Sequence, residues 1–96
     1  MALSKYAGNT RDGNEPEIIK ALLKIGASVE RQDEPLDLLV GYRGQNWLLE
    51  IKDAKDHIHA LAKMTTNQTR FFMLWRGQKA LVWDVESALK AIGAVK

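Results

Sequence analysis

The chain reads as one α/β domain, a mixed β-sheet flanked by helices in the order α-β-β-β-α-β-α. Three observations predict this. Apolar residues recur at helical spacing in two stretches, around 18–25 and 85–92. Two apolar runs, Leu36 to Tyr42 and Trp47 to Ile51, flank a short polar segment with glycines at 41 and 44, which is the pattern of a β-hairpin. One more short apolar run, Ala80 to Trp83, follows a helix-sized stretch, so the last strand joins the sheet by a crossover.

Taken in order, Met1 to Gly13 is polar and glycine-containing and reads as an N-terminal arm, with 14–96 as the domain proper. Asn14-Glu15-Pro16-Glu17 is a helix start. Asn14 suits the N-cap, Pro16 the first turn, and the acids favour the positive end of the helix dipole. Ile18, Ala21, Leu22 and Ile25 form the apolar stripe, widened by Ile19 and Leu23, and Gly26 ends the helix. Ala27 to Gln32 is a short strand with Val29 inward, and Asp33-Glu34-Pro35 breaks it before the hairpin. The hairpin strands are apolar on both faces, which predicts burial on both sides. The stretch 53–67 is hydrophilic, with a short helix expected around Ile58 to Met64. Thr65 or Thr66 caps a helix running to about Trp75, with Phe71, Phe72, Leu74 and Trp75 as its apolar side and Arg76-Gly77 as its stop. Lys79 to Trp83 is a buried-type strand, and Asp84 to Ala94 a closing amphipathic helix.

Composition narrows the class. The chain has 96 residues, 46% hydrophobic and 27% charged, as expected of a soluble globular domain. A core this small makes dimerisation a natural supplement. With no cysteine there is neither a disulfide framework nor a zinc-thiolate site. No apolar run reaches the length of a membrane span, and the first residues lack a signal-peptide core. A net charge of +2 permits nucleic-acid binding without requiring it.

The hairpin also carries the chemistry. Asp37, Glu50 and Lys52 interrupt it where a buried strand should hold apolar residues. A turn centred between Arg43 and Gly44 sets Asp37 opposite Glu50, and Glu50 shares a strand face with Lys52. Directly opposed Cβ atoms lie roughly 5 Å apart, where two carboxylates repel by about 3 kcal/mol at an effective dielectric near 20. A shared proton, a nearby cation or a bound divalent metal would compensate, and hard cations favour clustered carboxylate oxygens. The competing reading is a cross-strand ion pair on a solvated sheet face. An acid-x-Lys triplet alone is common, and Asp53-Ala54-Lys55 repeats the pattern in a polar stretch. Taken alone, Glu17 reads as a dipole-stabilising first-turn acid and Gln68 as a surface glutamine. His57 and His59 in a polar loop read as solvated rather than as metal ligands.

The element order, with Asp on the second strand and Glu-x-Lys on the third, resembles the PD-(D/E)XK nuclease superfamily. Within it the chain is most similar to the small stand-alone VRR-NUC proteins, many of them from bacteriophages. The resemblance runs from about Arg11 to Gly93. It rests on Asn14-Glu15-Pro16-Glu17-Ile18-Ile19, Pro35-Leu36-Asp37-Leu38-Leu39-Val40-Gly41, Leu49-Glu50-Ile51-Lys52-Asp53, Thr66-Asn67-Gln68 and Trp75-Arg76-Gly77-Gln78. The family usually has Pro directly before the Asp, whereas here Leu36 intervenes. The resemblance implies a restriction-endonuclease-like fold and a Mg2+- or Mn2+-dependent DNA endonuclease. Asp37 and Glu50 would be metal-binding carboxylates, with the Ile51 carbonyl completing the shell. Lys52 would be the catalytic lysine, Glu17 the acid directed at the site from the first helix, and Gln68 the glutamine opening the helix after the Glu-x-Lys strand. It further implies structure-selective cutting of branched or junction DNA and a homodimer, with Trp75, Trp83 and Phe72 as candidates for its face, though all three read equally well as core. An intracellular setting follows, a bacterial or phage-infected cytoplasm. The alternative is a catalytically silent nucleic-acid-binding or assembly module on the same fold.

Overall fold

The computed structural model describes residues 13–53 and 64–95. The N-terminal arm, the helix expected around Ile58, and both histidines fall outside the described residues. Within them the order is α1 (Glu15–Lys24), β1 (Ser28–Arg31), β2 (Leu38–Tyr42), β3 (Gln45–Ile51), α2 (Thr66–Leu74), β4 (Lys79–Val82) and α3 (Val85–Ala91). The four strands form one mixed sheet in the order β1-β2-β3-β4. The first two pairings are antiparallel and β3 pairs with β4 in parallel. None of the described helices is long and apolar enough to cross a membrane.

The hairpin register is the one the sequence predicts. Leu38 faces Leu49, Val40 faces Trp47 and Tyr42 faces Gln45. That leaves Arg43-Gly44 as a two-residue turn, and both have positive φ, 53° and 79°. Two successive left-handed residues match the right-handed twist of the flanking strands, which is why such turns close hairpins. Glycine takes this conformation without cost. Arg43 does not, and its guanidinium lies 5.0 Å from the centroid of the Tyr42 ring.

Residues opposite one another in a ladder share a sheet face. Leu38, Val40, Trp47, Leu49, Ile51 and Val82 are therefore on one face, and all are buried. Ile18 and Leu22 of α1 and Ala88 and Ile92 at the end of the chain complete this core. Both packing helices end the same way. After α1, Gly26 N–H donates to the Leu23 carbonyl and Ala27 N–H to that of Leu22. After α3, Gly93 and Ala94 donate to the carbonyls of Lys90 and Leu89. Each glycine has positive φ, so the chain can turn while its last carbonyls remain satisfied. At the start of α3, Asp84 and Ser87 form a reciprocal capping box.

The expected burial of both sheet faces is complete only on the core face. On the face opposite the core, Leu39, Leu48 and Leu81 are only half-buried. The expected apolar side of α2 is not buried either. Thr65 caps this helix as predicted, but it has no buried residue, and Met73, Leu74 and Trp75 are well exposed. Its apolar residues follow one another in sequence, so they spread around the helix instead of forming one stripe against the sheet. Of the residues weighed for a dimer face, Trp75 is exposed and Phe72 and Trp83 are half-buried.

Candidate functional site

Asp37 sits where β2 and β3 part. Its carbonyl accepts from Gln32 N–H at 2.8 Å, continuing the pairing toward β1. Its side chain serves the other neighbour, Oδ2 accepting the Ile51 amide at 2.8 Å. A carboxylate thus stands where a backbone carbonyl of β2 would otherwise be. The fully buried Leu36 fixes the chain just before it. This gives the residue between Pro35 and Asp37 a packing role.

The same hydrogen bond orients Ile51. Lys52 N–H, like Leu48 N–H, points to the β4 side, onto the carbonyls of Val82 and Gln78. Alternation along the strand turns Ile51 the other way, and its N–H and C=O share one edge. The Ile51 carbonyl therefore lies on the edge that faces Asp37.

Glu50 follows from alternation as well. It lies on the face opposite Leu49 and Ile51 and is only 1% exposed. An ionised carboxylate buried to that degree needs a charged or hydrogen-bonding partner. Lys52, two residues on and on the same face, supplies one, with Nζ 3.2 Å from Glu50 Oε2. The Lys52 backbone is pinned in turn. Asn14 Nδ2 donates to the carbonyl of Lys52 at 3.0 Å and to that of Trp83 at 2.7 Å. One side chain at the head of α1 thereby ties the ends of the two parallel strands together.

The remaining sequence-predicted residues are placed differently. Glu17 is exposed, and the helix acid that the structure buries is Glu15, at 1% exposure. Glu15 Oε2 accepts from Arg31 Nε at 2.8 Å. Arg31 is the ladder partner of Leu38, which sets this pair on the core face, away from Glu50. Among the described residues no group of three or more Asp, Glu or His side chains gathers closely enough to hold a metal ion. The expected convergence of Glu17 with Asp37 and Glu50 is therefore absent from them. Gln68 does open α2, but its side chain is used locally, Oε1 accepting from the Thr65 amide at 3.2 Å while Thr65 Oγ1 accepts from Gln68 N–H. Asn14 is corrected in the opposite sense. It makes no side-chain cap to α1 and acts instead on the strand ends.

Of Glu15 and Asn14, one had a signal in the sequence. Extending the Ile18–Leu22 stripe back by one helical turn lands on Glu15, whereas Glu17 falls about 100° around the helix from Ile18. Asn14 had none, because its partners lie 38 and 69 residues away.

Two carboxylates, a backbone carbonyl and a lysine thus lie at one end of β2 and β3. The oxygen set suits a hard divalent cation such as Mg2+ or Mn2+. Comparison of this chain with protein-family models, with curated proteins and with solved structures gives no match.

Proposed function

We propose that the chain is a Mg2+- or Mn2+-dependent DNA endonuclease, as its resemblance to the PD-(D/E)XK and VRR-NUC nucleases implies. One observation carries the reading. Asp37 takes the Ile51 amide at 2.8 Å while the buried Glu50, on the adjoining residue, holds Lys52 at 3.2 Å. Asp37, Glu50 and the Ile51 carbonyl would hold the ion. Bound there, it would polarise a phosphodiester and make water a competent nucleophile near neutral pH.

The protein's own part is positioning and charge. Asp37 is fixed by its amide bond and by the Gln32 contact. Lys52 holds a positive charge beside Glu50, available to a scissile phosphate or to the negative charge that develops on it. Asn14 keeps the Lys52 peptide from shifting. Glu17 is exposed on α1 and the Gln68 side chain caps α2, so the reading leans on neither. Branched or junction DNA is the expected substrate class, and a homodimer would present two such sites to two strands. An intracellular setting belongs to the same reading.

One observation favours the alternative, a catalytically silent nucleic-acid-binding or assembly module. No third acid joins Asp37 and Glu50 among the described residues. A cleavage assay separates the two. Labelled four-way junction, flap, single-stranded and linear duplex DNA are incubated with Mg2+ or Mn2+ and either wild type or Lys52→Ala. Cutting of a branched substrate by wild type alone supports the nuclease. Cutting by Lys52→Ala at the wild-type rate removes Lys52 from the mechanism. Failure of a folded, Mn2+-binding wild type to cut any substrate sinks the catalytic reading in favour of the silent module.

A further inference from the structure

Helix α2 and the residues just after it carry an aromatic pair that the described fold does not bury. Phe71 lies one helical turn before Trp75, and the two rings stack, with centroids 5.0 Å apart and planes 22° from parallel. Trp75 is 44% exposed, yet its position is fixed. Its carbonyl accepts from Lys79 Nζ at 2.6 Å. Its indole packs so closely on Gly77 that a Cβ there would come within 2.6 Å of Nε1. An exposed ring that is held in place before a partner arrives loses little freedom on binding one.

The surroundings of the pair identify the partner. Phe71 and Trp75 line an open groove of about 490 Å3 together with Glu34, Pro35 and Arg70, a volume in the range of small-molecule sites. From Thr66 to Lys79 the chain holds Arg70, Arg76 and Lys79 and no acid, and both arginines are exposed. Cations interleaved with aromatics suit a polyanion that also presents flat rings, as unpaired nucleic acid does. An apolar peptide would use the rings and leave the arginines idle. A fully paired duplex would use the arginines and leave the rings idle. Glu34 fits the same ligand, because a carboxylate accepts from the amino group of a base such as cytosine. The face and the amino edge of a base are open together only where it is unpaired.

We propose that this groove binds an unpaired nucleobase, stacked on the Phe71–Trp75 pair, with its amino edge toward Glu34 and its phosphate toward Arg70. This rests on the nucleic-acid part of the function proposed above and adds how a branched substrate would be told from plain duplex. Pro35 precedes Asp37 by two residues, at most about 7 Å of extended chain. A base held in the groove would therefore bring the phosphates beside it close to Asp37.

The test is fluorescence anisotropy on the full chain, with a labelled duplex bearing a single-stranded flap and the same duplex without one. Both are titrated in EDTA, so that nothing is cut. Wild type is expected to bind the flap substrate at least about fivefold more tightly, the lower end of what stacking on one aromatic supplies. Trp75→Ala should abolish that advantage and leave duplex affinity unchanged, and Trp75→Tyr should keep it. Gly77→Ala, which retains every ring and displaces the indole, should also lose it. Arg70→Ala should weaken both substrates and lower the salt dependence by about one unit of slope. Far-UV circular dichroism checks that each variant is folded. Equal binding of the two substrates by wild type overturns the proposal, as does a flap advantage that survives Trp75→Ala. So does a folded Trp75→Ala that weakens both substrates in equal proportion, since that is the mark of a structural role. A wild type that binds the flap but cuts nothing loses the catalytic reading and keeps this site; one that cuts without preferring the flap loses only this site.

Discussion

Replacing Lys52 by methionine tests the charge arrangement without relying on turnover. The side chain keeps its length and loses its charge, leaving Glu50 inside the protein without the lysine that lies 3.2 Å away. At that distance an effective dielectric near 20 gives an attraction of about 5 kcal/mol. Part of this is offset, because Lys52 no longer has to be desolvated. Removing one partner of a buried ion pair costs about 3–5 kcal/mol. The Lys52 side chain keeps 16% exposure, so the lower end, about 3 kcal/mol, is expected. For a domain of this size that lowers Tm by roughly 12–24 °C. A cation held by Asp37 and Glu50 should return much of the loss. At a hundredfold excess over its Kd, Mn2+ adds about 2.7 kcal/mol to any folded state that binds it. Thermal unfolding with and without Mn2+, for wild type and Lys52→Met, measures both effects. The variant should start much lower and rise at least as far as wild type on adding metal. An unchanged Tm for the variant without metal would refute the ion-pair argument. No response to Mn2+ in either protein would remove the carboxylate pair as a metal site.

Two further outcomes follow from the geometry. Arg31→Met leaves Glu15 buried without its guanidinium, and about 2–4 kcal/mol of stability should disappear in urea unfolding; the double change with Glu15→Leu should recover most of it. A loss below about 0.5 kcal/mol would show that the pair is not structural. Asn14→Ala removes the two side-chain bonds that bridge the ends of β3 and β4, at about 1–3 kcal/mol of stability. If the chain is a nuclease, kcat should fall more than KM rises, because Lys52 is displaced while the DNA contacts remain. An unchanged kcat in a destabilised Asn14→Ala would make the tie purely structural.

The parts of this molecule legible in its sequence are those governed by short-range rules. The turn at Arg43-Gly44 sets the register of the hairpin, and that register sets Asp37 against the Glu50–Ile51 end of β3. The glycines that stop α1 and α3 and the capping residues Thr65 and Asp84 also follow local chemistry. Reading failed where a side chain acts across the fold. Asn14 has good N-cap chemistry, yet its amide is used by two strand ends that only the tertiary structure brings near it. Glu17 is closer than Glu15 to the middle of the first turn, but the helix phase turns it to solvent. The aromatic content of α2 suggested a buried helix, yet none of its residues is buried and Met73 and Leu74 are exposed.

The late arrival of β4 has a consequence for synthesis. β3 is an inner strand of the sheet, but its second neighbour begins only at Lys79, 28 residues after Ile51. While the chain emerges from a ribosome, β1, β2 and β3 can pair as a local meander, leaving the far edge of β3 open until the last strand and α3 appear. That edge belongs to Leu48-Leu49-Glu50-Ile51, a nearly apolar run able to template pairing with another nascent chain. The one acid in the run, Glu50, together with Lys52 just beyond it, puts charge on an otherwise adhesive strand. Glu50 and Lys52, whatever their chemistry, would thus also act as gatekeepers against aggregation before the fold is complete.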